Sequence, residues 1–152
     1  MEYPDRDLQQ RVWQRVGNRE LPMLTPGESI KAWILTAQEN AAAYLCMSRQ
    51  ARAKEKARLQ RLYRESRQWI ACLRGICRLE GEAVAVPQVV CHPEVGYRTL
   101  EKCYHRERKL WEEWERRSGE SVHGPVYGKL AQQAQEHCVT IMEMLGRIES
   151  PR

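Results

Sequence analysis

The chain has 152 residues, 30 % of them charged, a formal charge of +5 and no Phe. That length suits one domain with a real hydrophobic core. No run approaches the roughly 18 apolar residues of a membrane span, and the polar stretch from Met1 to Gly17 lacks the apolar centre of a signal peptide, so a cytoplasmic location is expected.

Residues 5–16 form a short amphipathic helix candidate, with Leu8, Val12 and Val16 spaced by four, and 17–24 read as a loop. Thr25-Pro26-Gly27-Glu28 is a helix start: Thr25 can cap, Pro26 suits the first helical position and Glu28 completes a capping box. The first long helix is expected from Pro26 to about Met47, with Ile30, Ile34, Ala37, Ala41, Tyr44 and Ser48 inward. The second runs from about Ala51 to Leu79 and stops at Gly81, with Leu59, Leu62, Ser66, Trp69, Leu73 and Ile76 inward. Both lines alternate spacings of three and four, the stripe of a helix buried on one face.

Residues 81–95 contain two prolines and several β-branched residues, too long a stretch for a tight helical hairpin. A crossover running the length of a bundle is expected there. The third helix spans about Tyr97 to Arg117, with Leu100, Cys103/Tyr104, Glu107, Trp111 and Trp114 inward. A Ser/Gly loop follows at 118–124, and Pro125 opens a fourth helix to about Leu145 with Leu130, Ala134, His137, Ile141 and Met144 inward. The expected fold is all-α, an antiparallel four-helix bundle with a long crossover between helices 2 and 3. Residues 1–24 precede it as the short helix and loop, 25–148 form it, and 149–152 are a tail.

Six cysteines, at 46, 72, 77, 91, 103 and 138, form no Cys-x-x-Cys pair and are expected as free thiols filling core space. Cys91-His92, Cys103-x-His105 and His137-Cys138 place thiols beside imidazoles, but the spacings match no zinc module. Much of the positive charge sits between Arg49 and Arg67, the basic start of helix 2. That is a solvated helix face or a surface for an acidic or anionic partner such as nucleic acid; no aromatic platform interleaves the charges, which argues against the nucleic-acid reading.

Di-iron carboxylate bundles draw one Glu from each of two helices and Glu-x-x-His from each of the other two. The segments Glu39-Asn-Ala-Ala-Ala-Tyr44, Ala71-Cys-Leu-Arg-Gly-Ile-Cys-Arg-Leu79, Cys103-Tyr-His-Arg-Glu107 and Leu130-Ala-Gln-Gln-Ala-Gln-Glu-His137 resemble the rubrerythrin-like branch of the ferritin-like superfamily, over about residues 26–146. A weak internal duplication accompanies the resemblance. It pairs Ala37…Tyr44 and Ser66…Trp69 with Glu107…Trp114 and Ala134…His137. Of the six ligand positions that the resemblance implies, only Glu107 and His137 keep suitable side chains. Ala37, Ser66, Trp69 and Ala134 stand at the others, and Trp69 is large enough to fill the space left by ions and shortened side chains. A degenerate site follows, with Glu107 and His137 as a buried hydrogen-bonded pair and no catalytic residue. A structural or interaction role is expected, with the chain able to pair as a homodimer. The alternative is a residual iron protein, with Glu107 and His137 as metal ligands, acting in ferrous iron oxidation or peroxide reduction.

The register carries this reading. A slip in helix 2 would present Glu65 and Gln68 in place of Ser66 and Trp69, and in helix 1 Glu39 would replace Ala37. Each slip turns a side chain by about 100°. Glu120-x-x-His123 has the right letters but lies in the Ser/Gly loop.

Overall fold

Four helices make up almost all of the described chain: α1 Pro26–Ser48, α2 Ala53–Leu79, α3 Tyr97–Ser118 and α4 Gly124–Glu149. The computed structural model describes residues 26–82 and 96–149. The expected N-terminal helix and loop, the Thr25 cap, most of the crossover with Cys91 and His92, and the last three residues lie outside the described residues.

α1 packs along α2 and α3 along α4, and the ring closes through α1 on α3 and α2 on α4. Across α1 and α3, Arg117 donates to Ser29, Trp33 to Glu113 and Asn40 to Glu107. Across α2 and α4, Glu143 meets Arg58, His137 meets Glu65 and Gln133 meets Trp69. Residue number rises on one helix as it falls on its neighbour. A hydrogen bond of 2.8 Å between His123 Nε2 and Glu80 Oε2 ties the end of α2 to the start of α4.

The helix ends follow local chemistry. α2 stops in a Schellman motif: the Glu82 N–H donates to the Cys77 carbonyl and the Gly81 N–H to the Arg78 carbonyl. Gly81 carries φ of 83°, which a residue with a Cβ rarely adopts. In the α3–α4 turn a Cβ on Gly124 would lie 2.4 Å from the Ser118 carbonyl oxygen, so the turn closes only with glycine there.

Expected and observed stripes agree on α1, α2 and α4, where every inward position named above is buried. α3 needs a correction. Trp111 is only half-buried and packs on the rim of the core, while Leu110 is buried. Of Cys103 and Tyr104, Cys103 takes the inward place. Leu110 continues the 3,4 spacing of Leu100, Cys103, Glu107 and Trp114, which leaves Trp111 on the flank, from where its ring covers the core. α2 starts at Ala53 rather than Ala51, after a turn at 49–51. α4 continues past Gly146 to Glu149; glycine inside a helix costs about 1 kcal/mol, which does not end one by itself.

Two apolar clusters fill the bundle. One joins Ile30, Trp33, Trp69, Leu73, Trp114 and Tyr127, with the aromatic rings edge to face at 5.2–6.2 Å. The other joins Tyr44, Leu59, Leu62, Leu100, Ile141 and Met144. Each fully buried large side chain contributes about 1.5–3 kcal/mol. Between the clusters lie the buried polar side chains Asn40, Ser66, Glu107 and His137.

Candidate functional site

Asn40 and Tyr44 sit one turn apart on α1 and so share a face, opposite Glu107 on α3. Tyr44 Oη donates to Glu107 Oε2 at 2.7 Å and Asn40 Nδ2 donates to the same oxygen at 3.2 Å. Asn40 Nδ2 also reaches the Cys103 carbonyl at 3.1 Å. His137, on α4, brings Nδ1 to within 3.2 Å of Glu107 Oε2 and Nε2 to within 2.7 Å of Glu65 Oε1. Arg61 Nε holds the other Glu65 oxygen at 3.1 Å. On the opposite side Arg106 Nη1 donates to Asn40 Oδ1 at 3.2 Å and its Nε pairs with Glu39 at 3.5 Å. A continuous polar chain therefore crosses the core from Arg61 to Glu39 and draws on all four helices.

The electrostatics follow from burial. Glu107 is 0 % exposed. An ionised carboxylate leaves water only when paired and hydrogen-bonded, and the Glu107 oxygen that accepts from Asn40, Tyr44 and His137 meets that demand. Burial pulls the His137 pKa down, but Glu107 and Glu65 on its two nitrogens outweigh burial and raise it to about 9. The hydrogen bond from His137 lowers Glu65, against burial and with help from Arg61, to about 2. His137 is thus held as an imidazolium at neutral pH, with Glu65 on one nitrogen and Glu107 on the other. Burial, reinforced by Glu107, raises the Tyr44 phenol well above its ordinary value, which keeps it a donor. Burial likewise pushes the Cys103 and Cys138 thiols up to about 12, so neither is a ready nucleophile or thiolate ligand.

Trp69 closes the centre on the side of the aromatic cluster. Its ring stacks on His137, with centroids 4.4 Å apart and planes 26° apart, and its Nε1 donates to Gln133 Oε1 at 2.7 Å. Ala37 and Ala134 are buried in the same cluster, and Ser66 is buried beside it. A cavity of about 160 Å³ opens beyond His137 between α2 and α4, lined by Arg58, Arg61, Leu62, Glu136, Thr140 and Glu143 as well as His137.

The register question resolves residue by residue. Trp69, Ser66 and Ala37 face inward, Gln68 is exposed, and Glu39 lies at the surface against Arg106. Glu65 is the finding that periodicity missed. It lies off the inward stripe, with 21 % of its side chain exposed, yet its carboxylate reaches back to His137. Two methylenes span the distance that helix rotation opens. Asn40 and Gln133 were also missed. Asn40, four residues before an inward tyrosine and beside an apolar stripe, was the available signal. Of the thiol–imidazole neighbours, His105 is exposed and lies edge-on to Tyr104, away from buried Cys103.

No protein-family model, no curated protein and no solved structure matches the chain. The residues themselves must carry the functional reading.

These residues do not fit a pair of iron ions. Four of the six ligand positions that the family resemblance implies hold Ala37, Ser66, Trp69 and Ala134, which offer one hydroxyl among them. Both nitrogens of His137 are already hydrogen-bonded to carboxylates, and the Trp69 ring covers one imidazole face. Glu107 Oε1, buried and without a hydrogen bond, is one open donor atom. One carboxylate oxygen is far short of the carboxylate-rich set a di-iron centre needs. Among the described residues no cluster of three or more His, Cys, Asp or Glu side chains has a metal-holding arrangement.

Proposed function

We propose that the chain is an antiparallel bundle of the ferritin type, related to the rubrerythrin-like branch, in which the di-iron centre has been replaced by a buried polar core. Its role is structural or one of interaction rather than redox catalysis. The opposed numbering across α1/α3 and α2/α4 supports the bundle. The crossover is supported by position: Glu80 contacts the start of α4, whereas Leu100 packs with Met47 and Met144 near the ends of α1 and α4. The end of α2 and the start of α3 therefore lie toward opposite ends of the bundle.

The observation that carries the reading is the stack of Trp69 on His137, whose two nitrogens are both engaged by carboxylates. Side chains that would bind ions are here bound to one another. Such a layer favours one register of the four helices, because any slip would leave Glu107 buried without its donors. The free thiols at Cys72, Cys77, Cys103 and Cys138 fit a reducing, cytoplasmic setting.

A second reading rests on the open Glu107 Oε1 and on the unpartnered, buried Ser66 Oγ. A residual mononuclear metal held at Glu107 would make the chain an iron protein of reduced capacity. Metal analysis of protein purified after iron supplementation separates the two. The polar-core reading expects a sub-stoichiometric metal content and no ferrous iron oxidation. Stoichiometric iron with an oxidase signal would replace it with the second.

A further inference from the structure

Among the described residues, the outward face of α2 carries a one-signed charge pattern that the exposed faces of α3 and α4 do not share. From Ala53 to Leu79 the only acidic residues are Glu55 and Glu65, and neither is at an exposed position; Glu65 is spent on His137 and Arg61. Lys54, Lys56, Arg61, Arg64, Arg67, Arg74 and Arg78 are all exposed. The exposed faces of α3 and α4 mix signs instead: Arg108 pairs with Glu112 at 3.1 Å on α3, and α4 exposes Glu136 and Glu143.

The cations are ordered. At about 100° per residue, Lys56, Arg67 and Arg74 fall along one edge of the face and Lys54 and Arg61 along the other. Ala53, Ala57, Gln60 and Ala71 lie between the edges, with Arg64 and Arg78 among them. From Lys54 to Arg78 the face is about 36 Å long at about 1.5 Å per residue. One turn of duplex DNA is roughly 34–36 Å.

We infer that this face docks on duplex DNA, with α2 lying along the major groove and its two basic edges against the flanking phosphate backbones. Charge complementarity supplies the attraction, and arginine forks suit phosphate oxygens. The small residues along the middle let the helix approach closely. The same composition argues against other occupants. A protein partner or a membrane surface needs several apolar anchors, and the exposed positions of this face offer alanines and, at the helix end, Leu79 alone. Single strands need stacking rings, which the exposed positions lack. A-form RNA has a deep, narrow major groove that does not admit a helix. Gln60, Gln68 and the arginines between the edges are the side chains that face base edges, and the cations along the edges face phosphates, so most of the affinity is independent of sequence. Apart from Arg61, which also holds Glu65, the residues of this face take no part in the polar core.

The test is fluorescence anisotropy of the full chain with labelled duplex DNA. Arms of single-stranded DNA, duplex RNA and anionic phosphatidylserine vesicles run in parallel. Duplex DNA is expected to bind most tightly. With about five phosphate contacts, affinity should fall roughly several-hundred-fold between about 50 and 200 mM salt. The variant Arg64→Glu/Arg67→Glu/Arg74→Glu should weaken binding at least about ten-fold with an unchanged melting temperature. Arg98→Glu/Lys102→Glu/Lys109→Glu on α3, which alters net charge equally, should leave most of the affinity. Absence of duplex binding, equal loss in both triple variants, or tighter binding in any other arm would overturn the assignment to DNA.

Discussion

The two helical pairs meet the middle of the bundle with different chemistry. α1 and α2 bring volume and neutral polarity: Ala37, Asn40, Tyr44, Ser66 and Trp69 are all buried there. α3 and α4 bring the buried charge, Glu107 and His137, with Ala134 beside them. Neither half is self-sufficient. Glu107 takes two of its three donors from α1, and His137 takes its second carboxylate from the flank of α2. The difference teaches how a charged pair is kept in a core. Its solvation is replaced by fixed donors from the other half, and an indole stacks against it.

Removing the volume should have the largest effect. Trp69→Ala deletes a buried indole that touches both Trp114 and His137. A loss of about 3–5 kcal/mol in urea unfolding is expected, typical of large-to-small changes in cores. A loss below about 1 kcal/mol would mean that the indole is not filling the centre.

Removing one charge should come next. His137→Leu leaves Glu107 buried with only neutral donors, at a cost of about 3–5 kcal/mol. Adding Glu107→Leu to it should recover much of that loss, since replacing both members of a buried pair by apolar groups is often neutral or stabilising. Additive losses in the double-mutant cycle would break the comparison, because they would show the two charges to be independent.

The pair should also write a pH signature. The His137 pKa is raised from 6.5 to about 9, so its stabilisation is fully present below 6.5 and is lost as pH rises through about 9. Glu65 is lowered from 4.5 to about 2, so its share is present above 4.5 and is lost as pH falls through about 2. Stability from the pair is therefore greatest between those windows. Urea midpoints of the wild type should decline from pH 6.5 towards 9, and His137→Leu should flatten that limb. An alkaline decline of the same slope in the variant would assign it to other groups.

The smallest effect should come from the surface end of the polar chain. Glu39→Gln removes an exposed partner of Arg106 and should cost no more than about 1 kcal/mol. A larger loss in thermal unfolding would mean that Arg106 depends on Glu39 to hold Asn40 in place.

How much of this was legible in the sequence depends on side-chain length. Ala37, Ser66, Trp69, Ala134 and His137 could be placed because their side chains lie where helical phase puts their Cβ. Trp111 and Glu65 could not, because long side chains reach back across about a third of a turn. Trp111 covers the core from outside the stripe, and Glu65 enters the centre from beside it. The Glu107–His137 contact was readable from two inward lines on neighbouring helices. Its supporting donors were not: the Asn40 amide serves a carboxylate 67 positions away, a distance in sequence that no local pattern spans.

The central claim is that the middle of this bundle is closed by its own side chains. The most direct measurement is the metal content of the full chain after growth in iron-supplemented medium and anaerobic ferrous loading, read by elemental analysis against protein concentration. The account predicts less than about a tenth of an iron per chain and a melting temperature that loading does not change. Close to two irons per chain, the stoichiometry of a di-iron bundle, with a raised melting temperature would contradict it.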